Sequence, residues 1–181
     1  MWIVIILAVT ILAAIAIIFN SFIRKGMLVN EAWSGIDVQL KRRHDLIPNI
    51  VEAVRGYKDY ERGVLERVTE LRASAGTSRD PKERAGLENQ ITGALKTIFA
   101  LAEAYPDLKA GEQFLSLQKN LVEIEDEIQL ARRYYNGTVR DYNIAVETFP
   151  NLLLARLFNF SKKDFFEIET ATERNPAEVK L

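Results

Sequence analysis

The sequence contains no cysteine, which removes disulfides, thiolate-bound zinc or iron–sulfur clusters, a Cys nucleophile and lipid attachment at a cysteine. It contains one histidine, so a single chain cannot build a two-His metal site. Five prolines and nine glycines are few in 181 residues and favour long uninterrupted helices. Charge of neither sign dominates: 24 Lys and Arg face 25 Asp and Glu, a formal net charge of −1. Bulk electrostatic binding of nucleic acid is therefore not expected. With 48% hydrophobic and 27% charged residues, the chain can bury a core and is not expected to be disordered throughout.

The apolar residues are unevenly spread. From Trp2 to Phe19 every residue is apolar except Thr10, whose hydroxyl can bond its own helix. As a helix this run is about 27 Å long, near the thickness of a bilayer's hydrocarbon core. Asn20, Ser21, Phe22 and Ile23 lead to the first charges, Arg24 and Lys25. A cleavable signal peptide would place positive charge before a shorter run. Ala14-Ile15-Ala16 fits a cleavage pattern, but Ile17, Ile18 and Phe19 carry the apolar stretch past it. A buried core helix is rarely apolar on all faces for so long. The expected organisation is a transmembrane anchor over 1–23, a helical bundle over 24–168 and a polar tail over 169–181. Trp2, Ile6, Leu12, Phe19, Arg24 and Lys25 mark the anchor and its exit. No side-chain cation precedes the span, so the positive-inside rule puts a short N-terminus outside and the bundle in the cytoplasm.

Beyond the anchor the period is helical. Val29, Trp33, Ile36, Leu40, Ile47, Ile50, Val54, Tyr57, Val64, Val68, Leu71 and Ala75 form one apolar stripe, with gaps at Arg43 and Glu61. Pro48 interrupts it without shifting its phase: either the helix kinks there, or it stops and another starts with Asp45 as N-cap. Continuity of phase favours the kink, giving one helix from Met27 to about Ala75 that spans on the order of 70 Å. After a turn at 75–79, Asp80-Pro81-Lys82-Glu83 reads as an N-cap, a first-turn proline and a capping box. The next helix buries Leu87, Ile91, Leu95, Ile98 and Ala102 and ends at Tyr105-Pro106. The short link Pro106-Asp107-Leu108-Lys109 makes the following helix its antiparallel neighbour. That third helix steps through Phe114, Leu117, Leu121, Ile124, Ile128, Ala131, Tyr135, Thr138, Tyr142, Ala145 and Phe149, and a short amphipathic piece follows near Leu152–Phe158. The expected fold is all-α, an antiparallel bundle of long helices with one N-terminal transmembrane helix.

Candidates for chemistry are few. A carboxylate-bridged metal site in a bundle needs Glu-x-x-His twice, and no Glu lies three residues before His44. Glu123, Glu125, Asp126 and Glu127 flank buried Ile124 and Ile128 and read as a solvated face. His44 follows Lys41-Arg42-Arg43 and reads as a surface or rim residue. No P-loop, dinucleotide fingerprint or nucleophile elbow is present. The expectation is no catalytic residue, no metal, no cofactor and no small-molecule substrate. Lys41, Arg42, Arg43, Arg55 and Lys58 form a basic strip: a solvated helix face, or a surface for an anionic partner such as lipid headgroups.

The run from Glu31-Ala32-Trp33 through Asp37, Lys41-Arg42-Arg43-His44 and Leu46-Ile47-Pro48-Asn49 to Val51 resembles the signature of the LemA family. So do Ala104-Tyr105-Pro106-Asp107-Leu108-Lys109-Ala110, Arg133-Tyr134-Tyr135-Asn136, Tyr142-Asn143 before Phe149-Pro150, and Phe165-Phe166-Glu167. The blocks are co-linear over nearly all of the chain after the anchor. The resemblance implies a bacterial cell-membrane protein with an outside N-terminus and a long-helix bundle. It implies no defined reaction, and it points to membrane processes, neighbouring membrane proteases and, in one branch, organelle membrane formation. Where such proteins often carry His before a Glu, this chain has Tyr60 before Glu61.

The motif residues also have structural readings. Trp33 lies on the stripe, Pro48 marks the kink, and Tyr105, Pro106 and Asp107 mark the tight turn. Asp37 with Arg133, or Asp45 with Arg132, could pair across the long helices. Tyr135 belongs to the third stripe, and Asn136 and Asn143, seven apart, read as buried polar residues that fix register. Function then reduces to interaction. The preferred expectation is a membrane-tethered, non-enzymatic scaffold or adaptor that self-associates, because the second helix is too short to cover both long ones. Its partners would be the bilayer, copies of itself and membrane proteins such as a membrane protease. The alternative is a lipid-reading module in which Leu153, Leu157, Phe158 and Phe160 insert as an interfacial helix, although the preferred expectation for these residues is that they pack under the bundle. An enzyme would need a composite site between subunits.

Overall fold

The computed structural model describes residues 1–55, 62–78 and 80–166. The described residues form six helices and no strand: α1 Trp2–Arg55, α2 Arg62–Thr77, α3 Pro81–Ala102, α4 Pro106–Lys109, α5 Glu112–Glu147 and α6 Asn151–Leu157. The all-α expectation therefore holds. The chain divides into two compact units, one of Met1–Leu40 with Asp126–Phe165, the other of Lys41–Glu125 with the chain from Phe166.

In the first unit, α1 begins as the apolar run. It is long and apolar enough to cross a membrane, and none of that window is buried. Thr10 Oγ1 donates to Ile6 O at 2.9 Å, so the one hydroxyl in the run is satisfied within the helix. Gly26 does not break α1. It lies beside Tyr142 of α5: a Cβ there would stand 3.7 Å from Tyr142 Cε2, an ordinary packing distance. One turn and more along, Trp33 meets Tyr135 edge-on at 5.4 Å. These two contacts fix α5 antiparallel to α1, because the chain position rises on one helix as it falls on the other. Buried Val29, Ala32 and Ile36 of α1 and Tyr135, Val139, Tyr142 and Val146 of α5 supply the apolar stripe.

The chain reverses at α6. α5 ends at Glu147 rather than at Phe149-Pro150, and Phe149, expected on the stripe, is 81% exposed. After α6 the backbone forms a Schellman motif: Phe160 N donates to Ala155 O at 2.8 Å, and Asn159 N donates to Arg156 O at 3.4 Å. Asn159 takes the left-handed position with φ 58°, which Asn tolerates better than most residues. The returning segment is tied to α5 by side chains. Asn143 Nδ2 donates to Lys163 O and Lys163 N donates to Asn143 Oδ1, both at 2.9 Å, and Tyr135 Oη donates to Asp164 O at 2.9 Å.

In the second unit, α2 packs on α3, and α3 lies antiparallel to the first part of α5, with Phe99 on Phe114 at 5.2 Å and Thr92 beside Glu125. The tight connection is itself a helical turn, α4, started by Pro106. Asp80 caps α3 as expected, accepting from Lys82 N at 2.9 Å, with Pro81 in the first turn. Glu83 does not complete a capping box on Asp80; it accepts the Ser78 hydroxyl at 2.7 Å.

Pro48 lies inside α1, which continues unbroken to Arg55. One straight helix from Met27 to Ala75 is not what the described residues show, since Arg72 returns to within bonding distance of His44, which a straight helix would hold about 42 Å away; residues 56–61, between Arg55 and Arg62, lie outside the described residues. Proline carries no N–H, so the carbonyl four residues back, that of His44, loses its helical donor. Arg72 of α2 supplies the substitute, its Nε donating to His44 O at 2.6 Å. An orphaned buried carbonyl costs about 1–3 kcal/mol, so Arg72→Met is expected to destabilise the chain by that order. Pro48→Ala, which restores the N–H, should recover part of the loss. Thermal unfolding of the single and double variants in detergent, followed by circular dichroism, measures the coupling, and additive losses would contradict this account.

Candidate functional site

The densest polar assembly lies inside the second unit, on residues that the stripe analysis passed over. Arg43 falls in the gap between Leu40 and Ile47, where a helical period demands an inward side chain, and it is only 1% exposed. Its guanidinium is held on two sides. One terminal nitrogen donates to Glu125 Oε1 at 2.6 Å and to Thr92 Oγ1 at 2.8 Å. The other donates to Glu88 Oε2 and to Glu88 O, the latter at 3.2 Å. Glu88 sits three residues before Ile91 and takes the buried place expected for Leu87, which is half-buried instead. The reason is electrostatic: a guanidinium cannot shed its charge, so the α3 position facing it must offer a carboxylate.

His44 completes the cluster. It is buried, not a rim residue, and its Nε2 lies 2.9 Å from Glu88 Oε1. Burial by itself raises the Glu88 carboxyl. The His44 hydrogen bond and the charge of Arg43 outweigh that, and the carboxyl sits below its ordinary range. Glu88 is thus ionised at neutral pH, and His44 Nε2 carries the proton it donates. Of the acidic run read as a solvated face, Glu123, Asp126 and Glu127 are exposed, but Glu125 turns in to Arg43. Arg43 occupies the space between Glu88 and Glu125 that a metal ion would need, and no group of three or more metal-ligating side chains occurs among the described residues.

The basic strip is not one surface. Lys41 and Arg42 are exposed, and Arg55 is exposed beside Glu52 at 3.7 Å. Arg43 does not belong to it, because the helical period turns it inward, and Lys58 lies outside the described residues, as do Tyr60 and Glu61. Of the residues expected to mark an anchor, Trp2, Ile6 and Leu12 are exposed along α1, while Phe19 is half-buried against Phe158 and Phe160. Arg24 is exposed and Lys25 half-buried. Among the motif residues, Trp33 is half-buried on Tyr135, Asp37, Pro48, Pro106, Asp107 and Arg133 are exposed, and Tyr105 and Asn136 are half-buried. Asn143 is not a buried register residue. Its amide mimics a peptide group and binds the backbone of Lys163, because the returning segment offers backbone with no strand partner.

The profile of the LemA family matches residues 32–181. The chain belongs to the LemA family. The LemA match spans both units and includes Arg43, His44, Glu88 and Glu125. Among relatives, Protein LemA of Metamycoplasma hominis is 27% identical over 168 residues, covering 86% of this chain and 75% of that one. Magnetosome protein MamQ of Magnetospirillum gryphiswaldense is 21% identical over 197 residues, covering 91% and 72%. Magnetosome protein MamQ 1 of Paramagnetospirillum magneticum is 21% identical over 189 residues, covering 90% and 70%.

Breaking a buried ion pair from one side costs about 3–5 kcal/mol, so Arg43→Met is expected to destabilise the chain by that order. Arg43→Lys should not restore it, since a point charge cannot serve Glu88, Glu125 and Thr92 together. The pH dependence follows from Glu88. Its folded value lies below its unfolded one, so its contribution is complete above the unfolded carboxyl range, near pH ~4.3, and is lost as pH falls through the folded value. Acid unfolding should be steeper across that window for the parent chain than for Glu88→Gln, which starts less stable at neutral pH. Equal acid slopes would remove Glu88 from the account.

Proposed function

We propose that this LemA-family protein is a single-pass protein of the bacterial cell membrane, with its short N-terminus outside and its helical units in the cytoplasm. In this reading it works as a non-enzymatic scaffold that self-associates. The observation that carries the reading is the outer face of α5. In the second unit Leu115 and Val122, one heptad apart, are 47% and 56% exposed. In the first unit Leu130, Tyr134 and Ile144 are about half exposed. Each set lies on the side of its helix away from the buried stripe, whose members are Phe114, Leu117, Leu121 and Ile124, then Tyr135, Val139 and Tyr142. A helix that is apolar on a second face at coiled-coil spacing is suited to another helix. The inward spending of Arg43, His44, Glu88 and Glu125 on one another supports a structural rather than a catalytic use of those groups.

Copies of the same chain suit this face because one self-complementary patch closes a symmetric assembly. A neighbouring membrane protein, a membrane protease among them as the family resemblance suggests, is the second occupant. Sedimentation of the detergent-solubilised full chain at micromolar concentration distinguishes the two. The parent should run as an oligomer, and Leu130→Glu with Ile144→Glu should run as a monomer with unchanged helicity. A monomeric parent would remove self-association and leave the face to a different protein.

A further inference from the structure

We infer that α6 is a second membrane attachment, seated in the interfacial zone of the leaflet from which the anchor emerges. The inference rests on the anchor being embedded, and it concerns a face that the self-association reading does not use. Its starting point is the path of the chain in the first unit. α5 approaches the apolar end of α1, with Tyr135 beside Trp33 and then Tyr142 beside Gly26. After α6 the rings of Phe158 and Phe160 stand 5.0 and 5.7 Å from that of Phe19, and Phe160 stands 4.9 Å from Phe22. The segment then leads away, with Lys163 on Asn143 and Asp164 on Tyr135. α6 is therefore the tip of a hairpin, and the tip lies where the apolar run Trp2–Phe19 gives way to Arg24 and Lys25. That is the level at which a spanning helix leaves the hydrocarbon core.

The side chains on the tip match that location. Within α6, Ala155 is fully buried and faces the unit. Leu153 and Leu157, one helical turn apart on the opposite face, are 60% and 70% exposed. Phe149 and Phe158 flank them and are also exposed. Four large apolar residues on a seven-residue helix and its ends are costly in water and favourable in the headgroup–acyl boundary. Arg24 just after the apolar run, Arg156 within α6 and Lys163 after it are all exposed, as expected of cations beside anionic headgroups. Lys162 is held by Glu147 at 2.8 Å, which neutralises one carboxylate close to that surface. The apolar residues face away from the unit, and the phenylalanines that follow them touch the anchor itself, so the bilayer is the surface continuous with this patch.

The chain has no native cysteine, so single labels can be placed one at a time in the full-length protein. Leu153→Cys, Leu157→Cys, Ile11→Cys and Ser116→Cys, each carrying an environment-sensitive fluorophore, are reconstituted into mixed phosphatidylcholine–phosphatidylglycerol vesicles with and without lipids bearing a shallow nitroxide quencher. The labels at 153 and 157 should emit as in an apolar medium and lose most of their intensity to the shallow quencher, while the label at 116 stays in water. Water-like, unquenched emission at 153 and 157 with an apolar signal at 11 overturns the inference and leaves the anchor intact. A water-like signal at 11 overturns the anchor as well. Disulfide capture between copies through Leu157→Cys, without lipid quenching, assigns the patch to a second chain and also overturns it. Leu153→Glu with Leu157→Glu should move a label at Phe158→Cys from the apolar to the aqueous signal while circular dichroism is unchanged.

Discussion

The second unit is organised around a charge that cannot be removed. A guanidinium keeps its charge in proteins, and α1 places that of Arg43 inward because the helical period leaves it nowhere else to go. A bare guanidinium there would be prohibitive, so three further elements of the cluster follow from it. α3 must present Glu88 rather than an apolar side chain. Glu125 must turn in from a run of otherwise exposed acids. Thr92 must stand between them, accepting from Arg43 at 2.8 Å. Each of these fixes a rotational setting and an axial position, so the cluster sets the register of α1, α3 and α5 in a way that interchangeable leucines could not. Such a network gives less net stability than its contact distances suggest, because desolvation offsets most of the attraction. Its larger effect is on wrong packings, which leave a charge unpaired.

Pro48 illustrates the same accounting on the backbone. The helix does not stop at a residue that lacks a donor, because another helix brings one. Arg72 reaches the His44 carbonyl, and His44 itself is bonded to Glu88, so the proline and the charge cluster meet at one residue. The continuation past Pro48 that unbroken phase already favours is sustained by a tertiary contact from α2.

Much of the fold was legible in the sequence because period and punctuation are local signals. The apolar run Trp2–Phe19, the cap at Asp80-Pro81, the antiparallel turn at Pro106 and the long third helix all follow from residues within a few positions of one another. The site was less legible, for a definite reason. Scoring a stripe by hydrophobicity treats Arg43 as a gap and prefers Leu87 to Glu88, although phase is conserved across both positions. The usable signal was an apolar rhythm that survives a charge unchanged, which places the charge inside; its partner then has to be sought at the equivalent place on another helix. The roles of Asn143 and Asn159 were hidden for another reason. One binds the backbone twenty positions away and the other depends on a left-handed φ, and neither leaves a periodic trace.

In the first unit the order of events along the chain matters more than any one contact. The segment after α6 has no helix or strand to satisfy its backbone, so side chains of α5 do it: Asn143 pairs with Lys163 in both directions and Tyr135 takes Asp164 O. Burial, and secondarily the charge of Asp164, push the Tyr135 hydroxyl above its ordinary range, so it remains a donor throughout the physiological interval. On the other flank, α5 runs into α6 with only three intervening residues. Both ends of α6 are therefore held, and the Schellman reversal at Asn159 aims Phe160 back onto Phe22. A short helix would be marginal alone, but here its geometry is set by what precedes and follows it. The outward direction of Leu153 and Leu157 is thus a property of the folded unit before any surface is met, and seating those side chains requires little further ordering of the chain.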